Sequence, residues 1–337
     1  MTKQEIRKNN LYLNTPELEH LNICQNIEFY PKLGKTNKYD PVIYGENLFP
    51  LPKLIMLETT SWCNLSCRFC PSKDLKREKE IMPMELFIKI VDELDRIKWF
   101  GELQLFNSNE PLLDPLLIQR IKYIKKLPFL KKSFIGVMTN MKKLTKKILN
   151  ELYLSGLDQL VCDNYFPDNI SCKYIKMFKD FENNFVERKI TFIDNYKFYN
   201  KLKINRKDFN IMFFQKFGKN ASKVFGKNFT SRLQLITTGK ELENFKKRMC
   251  IRPFRHITIT YNGKILSCCD EWLYDPRSIM GDLNKNTLIE IWNGKPFFVL
   301  RYRLLQYDRS FYPCNKCDNH GEPFWFNCRS VSKEGLF

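Results

Sequence analysis

The run Cys63-Asn64-Leu65-Ser66-Cys67-Arg68-Phe69-Cys70 constrains this chain more than any other stretch. Three cysteines stand within eight residues, with three and then two residues between them. Just before them, Leu54-Ile55-Met56-Leu57 is apolar and passes into Glu58-Thr59-Thr60, which predicts a buried strand ending in polar residues. The thiols therefore sit on a loop at the C-terminal end of a strand, the edge where α/β folds place their chemistry. Thiolates are soft ligands that select iron–sulfur clusters or zinc. A structural zinc site closes with four ligands, and a 4Fe–4S cluster is normally held by four cysteines. Three local thiolates leave two readings: half of a zinc site that borrows a distant ligand, or a cluster with one iron open to a small molecule.

The chain has twelve cysteines in 337 residues. Met1 to Asn10 is polar and charged, without the apolar core of a signal peptide, and no run of apolar residues is long enough to cross a membrane. A cytoplasmic protein is expected, and in a reducing compartment clustered cysteines bind metal or do redox chemistry. The formal net charge of +19 raises the question of a nucleic-acid partner. The lysines are spread widely and accompany abundant Asn, Ile and Phe, which is a compositional bias rather than a patch. Attraction to an acidic partner, an electron donor or an anionic substrate, is expected instead.

After the cysteine loop the pattern repeats strand then helix. Pro83 opens a helix from Met84 to Ile97, with Leu86, Ile90, Val91 and Leu94 on one face. Glu102 to Phe106 alternates as a strand and runs into Asn107-Ser108-Asn109-Glu110-Pro111. A helix from Leu116 to Lys126 and a strand from Ser133 to Met138 follow, the latter ending in Thr139-Asn140. A helix from Thr145 to Ser155 stops at Gly156, and the strand Gln159 to Cys162 ends in Asp163-Asn164. This order predicts a parallel sheet curling toward a barrel, with its loops at one rim. From about 165 to 245 the periodicity blurs; Lys189 to Asp194 and Arg232 to Ile236 are the candidate strands, and the basic, aromatic stretch between them reads as a solvated helical face. Residues 1–50 read as an N-terminal extension whose Cys24 is a small apolar residue.

A second constellation opens at Cys250. Phe254 to Thr260 alternates as a strand, Asn262-Gly263 makes a hairpin turn, and Lys264 to Ser267 returns to Cys268-Cys269. Gly281-Asp282-Leu283, a helix around Leu288 to Asn293, and Cys314-Asn315-Lys316-Cys317 follow. The hairpin can bring Cys250 near Cys268, and Cys314-x2-Cys317 is a two-point clamp. Four thiolates from three places can then close around a cluster or a zinc ion. His256 and His320 read as ordinary polar positions.

Cys-x3-Cys-x2-Cys, with Phe69 before its last cysteine, resembles the cluster loop of the radical S-adenosylmethionine (SAM) enzymes. The resemblance implies an α/β fold, a partial (β/α)6 TIM-like barrel with a small C-terminal β-hairpin/helix domain. It implies that Cys63, Cys67 and Cys70 hold a 4Fe–4S cluster whose open iron chelates SAM, and that SAM is cleaved reductively to methionine and a 5′-deoxyadenosyl radical. Glu110-Pro111 match the family's Gly-Gly-Glu-Pro, which contacts the SAM amino group, with Ser108-Asn109 in place of the glycines. Thr139-Asn140 match Thr-Asn-Gly near the methionyl part of SAM, with Met141 in place of glycine. Asp163 stands where the family has Ser-Ile-Asp-Gly, within reach of ribose or substrate, and Arg232 resembles an arginine that contacts SAM. Phe69, Asn109, Glu110, Pro111, Thr139, Asn140, Asp163 and Arg232 are thus the implied SAM contacts.

The second constellation resembles the SPASM/Twitch extension of the same enzymes. That implies a second, auxiliary 4Fe–4S cluster on Cys250, Cys268, Cys314 and Cys317, the spacing from the turn glycine selecting Cys268 over Cys269. Pro323 and Asn327 stand roughly where a full SPASM domain has further cysteines, so the single-cluster Twitch pattern fits better; Cys328 would serve an alternative three-cysteine site. The implied division is 1–50 extension, 51–244 core and 245–337 auxiliary-cluster domain. The implied function is hydrogen abstraction from a peptide or sugar-like alcohol, with net oxidation through the auxiliary cluster and electrons from an acidic donor such as flavodoxin or ferredoxin. No residue identifies the hydrogen acceptor or a base. The competing reading is a non-catalytic, zinc-bound, basic nucleic-acid-binding protein.

Overall fold

The computed structural model describes residues 49–67, 70–71, 77–165, 168–184, 190–194, 208–215, 250, 252–271 and 274–319. The N-terminal extension to residue 48, Phe69, Arg232 with its candidate strand, His320 and Cys328 lie outside the described residues.

Six strands run parallel: Leu54–Leu57 (β1), Glu102–Gln104 (β2), Phe134–Thr139 (β3), Gln159–Asn164 (β4), Ile190–Asp194 (β5) and Phe209–Gln215 (β6). His256–Ile259 (β7) adds to the free side of β1 in parallel, and Lys264–Leu266 (β8) and Ile279–Asp282 (β9) continue antiparallel. The result is one open sheet in the order β5-β6-β4-β3-β2-β1-β7-β8-β9. The partial barrel is thus present, with one departure from chain order: β6, not β5, pairs with β4. β5 matches the candidate strand Lys189 to Asp194, whereas β6 is a buried strand inside the stretch read as a solvated helical face and corrects that reading. Phe209 to Phe214 is buried throughout, so β6 shows no polar alternation to read.

Helices Met84–Arg96 (α1), Leu117–Lys126 (α2), Lys146–Leu154 (α3) and Asp168–Asn184 (α4) connect the strands. In α1, Leu86, Phe87, Ile90, Val91 and Leu94 are buried at helical spacing, each contributing about 1.5–3 kcal/mol. Thr145 caps α3 by accepting from the Ile148 amide at 3.2 Å, and Gly156 just past its end has φ of 90°. After a single turn, Arg252–Arg255 (α5), the chain enters β7; the expected strand from Phe254 therefore starts two residues late. Leu288–Trp292 (α6), closed by a Thr287/Glu290 capping box, and Lys295–Leu305 (α7) complete the described chain.

Alternation along the strands divides the core. Ile55, Leu57, Leu103, Leu105, Ile135 and Val137 pack with the helices in the main core. Leu54, Met56, Phe106, Val161, Met212 and Phe214 form a second cluster on the other face, joined by Cys269. That face also carries polar side chains. A Cβ at Gly136 would lie 2.1 Å from the Gln104 Oε1 atom, so glycine makes room for the amide. His256 corrects its reading as an ordinary polar position. It is buried, neither ring nitrogen has a partner among the described residues, and burial beside Arg252 and Arg255 pushes its pKa well below the usual range.

Candidate functional site

The loop after β1 leaves the sheet through a closed neck. Ser61 N donates to Glu80 O at 2.9 Å, Met82 N to Thr59 O at 2.9 Å and Thr60 Oγ1 to Glu80 O at 2.8 Å. Cys63, Cys67 and Cys70 are on the excursion between, where Cys70 N turns back on Cys67 O at 3.0 Å. Two neighbouring strand ends hold it. Glu110 N donates to Trp62 O at 3.0 Å. Asn140 Nδ2 donates to Asn64 Oδ1 at 2.8 Å and to Cys63 Sγ at 3.5 Å. Burial raises the Cys63 thiol, and burial with the neighbouring cysteines pushes Cys67 up to about 12. Ligation would therefore have to displace protons.

Glu110 is the organising carboxylate of this rim. Oε1 accepts from Thr139 Oγ1 at 2.6 Å and Leu112 N at 3.1 Å, and Oε2 accepts from Asn140 N at 2.7 Å. Its side chain is buried, which pushes its pKa up to about 7 against those three hydrogen bonds. Asn109 Oδ1 accepts from Asn107 N at 2.9 Å, and Pro111 opens the short turn that Glu110 caps. Asp163 accepts from Tyr165 OH at 3.3 Å and its charge acts on both Glu110 and Cys67. Asn109, Glu110, Pro111, Thr139, Asn140 and Asp163 thus gather beside the cysteine loop at the C-terminal ends of β2, β3 and β4.

Met141 occupies the position where the resemblance puts glycine. It has φ of 63°, in the left-handed region, and its side chain is buried. The backbone need that glycine meets is present here, and packing holds a methionine against it.

The four later cysteines, Cys250, Cys268, Cys314 and Cys317, line one pocket with Arg252, Asp270 and Arg309. Cys269 is outside the lining and packs into the apolar cluster on the sheet. Sulfur-directed donors surround the pocket: Asp270 N reaches Cys268 Sγ at 3.4 Å, Asn319 N reaches Cys317 Sγ at 3.4 Å, and Arg309 Nη2 reaches Cys317 Sγ at 3.6 Å. Burial holds Cys250, Cys314 and Cys317 above the usual thiol range, whereas Cys268 is lowered by its hydrogen bond with Cys269. Four thiols converging on one pocket suit a 4Fe–4S cluster, which takes each thiolate on a different iron.

A polar knot between the two cysteine sets was not legible in the sequence. Glu58, at the end of β1, accepts from Arg77 at 2.6 and 3.0 Å, from Ser108 Oγ at 2.8 Å and from Tyr274 OH at 3.1 Å. Arg77 also donates to Ser108 and Tyr274, lies 3.9 Å from the Tyr274 ring centre, and Ser108 is hydrogen-bonded to the Tyr274 hydroxyl. Ser108 is thus more than a replacement for glycine. The knot joins the exit of the cysteine loop, the end of β2 and the second half of the chain.

Comparison with known proteins agrees with this arrangement. Residues 57–179 match the family model of the radical SAM superfamily, and residues 250–318 match the SPASM iron–sulfur cluster-binding domain, together more than half of the chain. The chain belongs to the radical SAM superfamily and carries a SPASM-type domain, so its cofactors are SAM, a 4Fe–4S cluster and auxiliary iron–sulfur. It is similar to the tungsten-containing aldehyde ferredoxin oxidoreductase cofactor-modifying protein of Pyrococcus furiosus, 31% identical over 106 residues, which are 32% of this chain and 29% of that protein. The matched stretch therefore spans less than a third of that relative. Among solved structures, BtrN in complex with AdoMet and 2-DOIA superposes with a TM-score of 0.60 at 18% identity, covering 83% of this chain and 99% of that one. BtrN in an open conformation gives 0.54 at 16% identity, covering 81% and 98%. These likenesses show the fold. No helix among the described residues is long and apolar enough to cross a membrane.

Proposed function

We propose that this enzyme abstracts hydrogen from a C–H bond of a sugar-like alcohol or a peptide, and oxidises that substrate by a further electron. When bound, the first cluster supplies the electron that splits SAM into methionine and a 5′-deoxyadenosyl radical, and the auxiliary cluster accepts the electron left on the substrate. Cys63, Cys67 and Cys70 hold the first cluster; Cys250, Cys268, Cys314 and Cys317 hold the second. Glu110 receives the amino group of SAM, with Asn109 and Pro111 shaping its loop and Thr139 and Asn140 fixing its oxygens. Asp163 faces the ribose or the substrate from the neighbouring strand. We assign residues 51–244 to the radical SAM core and 245–337 to the auxiliary-cluster domain. An acidic flavodoxin or ferredoxin suits the net charge of +19 as electron donor. The fold shared with BtrN, whose structure was determined with AdoMet and 2-DOIA, supports keeping a sugar-like substrate beside the peptide.

The observation that carries the reading is the separation of the thiols into two sets. One is a three-cysteine loop beside Glu110; the other is a pocket lined by four. Anaerobically reconstituted protein is expected to hold about eight irons, four per cluster, and to release 5′-deoxyadenosine from SAM with dithionite. Cys67→Ala should abolish that release. Cys317→Ala should keep part of it and lose the oxidised product. Colourless protein with stoichiometric zinc, or equal loss of cleavage in two folded variants, would reject the assignment.

A further inference from the structure

Two arginines line the four-cysteine pocket, and they differ in how their charge is met. Arg252 is paired with Asp270, whose carboxylate also accepts from Asn319 Nδ2 at 3.0 Å. Arg309 has no such partner among the described residues. Its side chain is 2% exposed. Nη1 donates to the Asn319 carbonyl at 3.0 Å, Nη2 points at Cys317 Sγ at 3.6 Å, and Nε has no acceptor. Cys317, Cys250, Cys314 and Cys268 line the same pocket around it.

A buried guanidinium cannot shed its charge, because arginine stays protonated at any pH a protein survives. Burying a lone cation is costly unless an anion compensates it. Here the groups placed to do so are thiols, which are neutral until they ligate. A 4Fe–4S centre on four thiolates carries net negative charge and gains one more negative charge on reduction. A fixed cation at its edge, in a site of low dielectric, favours the reduced form.

We propose that Arg309 is the buried counter-ion of the auxiliary cluster and sets its reduction potential high enough to take an electron from the substrate radical. This rests on the assignment of Cys250, Cys268, Cys314 and Cys317 as ligands of an auxiliary cluster, and it adds a positioning and tuning residue to that site. Arg252 cannot serve in the same way, because Asp270 cancels its charge within the pocket wall.

The test isolates the second cluster. In a Cys63→Ala/Cys67→Ala/Cys70→Ala background, only the auxiliary cluster remains, and its midpoint potential is read by EPR-monitored redox titration beside iron content. Arg309→Gln keeps hydrogen-bond donors and removes the charge. It should make reduction at least tenfold less favourable, which is 59 mV for one electron, while Arg309→Lys stays close to the unaltered protein. Loss of the cluster in Arg309→Gln with retention in Arg309→Lys would also support the counter-ion, since only the charge differs in kind. An unchanged potential in Arg309→Gln overturns the proposal, as does loss of the cluster in both variants, which would mark a packing role. Absence of any cluster in the parent triple variant would instead sink the ligand assignment beneath it.

Discussion

Arg77→Met is the perturbation that tests how the two halves are tied together. Glu58 has no exposed side-chain surface and Arg77 keeps 13%. Removing one partner of a buried pair costs ~3–5 kcal/mol, and the partial exposure of Arg77 together with the Ser108 and Tyr274 hydroxyls that remain on Glu58 places this case at the lower end. Loss of the stacked guanidinium over Tyr274, 3.9 Å from its ring centre, acts in the same direction, at ~0.5–2 kcal/mol. A loss of about 3 kcal/mol is therefore expected in denaturant unfolding followed by tryptophan fluorescence. Glu58→Gln alone leaves Arg77 partly solvated and should cost less, and the double variant should recover part of the sum, with a coupling of ~2 kcal/mol. Because Arg77 leaves the cysteine loop at its neck, the single variant should also retain less iron at the first site after reconstitution. A coupling energy within ~0.5 kcal/mol of zero, the spread of independent sites, would refute the claim that this knot bears load.

Three further outcomes follow from the site and the core. Glu110 titrates at about 7, so its carboxylate form is lost as pH falls; if that form receives the SAM amino group, SAM affinity measured by equilibrium dialysis should be about tenfold weaker at pH 6 than at its alkaline plateau, and Glu110→Gln should remove the dependence. Met141 sits at φ 63°, so Met141→Gly should be more stable than Met141→Ala by ~1 kcal/mol, the reverse of the usual order, although both lose ~2–5 kcal/mol of buried side chain; equal stability would contradict the left-handed geometry. A chain ending at residue 244 should not fold: it strips Ile257, Ile259, Ile265 and Trp292 from the main core, about 6–12 kcal/mol of burial at 1.5–3 each, and soluble, cooperatively unfolding truncated protein would refute this.

What could be read in the sequence was what is local. Cys63, Cys67 and Cys70 announce a soft-metal loop because ligand type and spacing lie within eight residues. The first three strand–helix units and the fourth strand declare themselves through periodicity, as in α1, where Leu86, Ile90 and Leu94 recur at helical intervals. Phe209 to Gln215 does not, since its described side chains are buried on both faces and offer no polar alternation. The exchange of β5 and β6 depends on how a crossover lands, which no period encodes. Nor does spacing reveal Arg77 or Arg309. One meets Tyr274 across 197 residues, and the other is one of 56 basic residues until the fold buries it against thiols.

The sheet itself explains why the two cysteine sets belong to one device. β1 is hydrogen-bonded to β2 on one side and to β7 on the other. The loop with Cys63 springs from the end of β1, and Cys250 and Cys268 flank the β7–β8 hairpin. Cys268 and Cys269 pack on the face formed by Leu54, Met56 and Phe106. Neighbouring strands are held ~4.8 Å apart by their ladders, so the placement of one set against the other is fixed by strand pairing and not by a linker. On the proposed reading, an electron left on the substrate needs no domain movement to reach its acceptor. The knot at Glu58 then has a clear use: it fastens the rim where the substrate would lie to β1, the strand that leads into the first site and pairs with β7 beside the second.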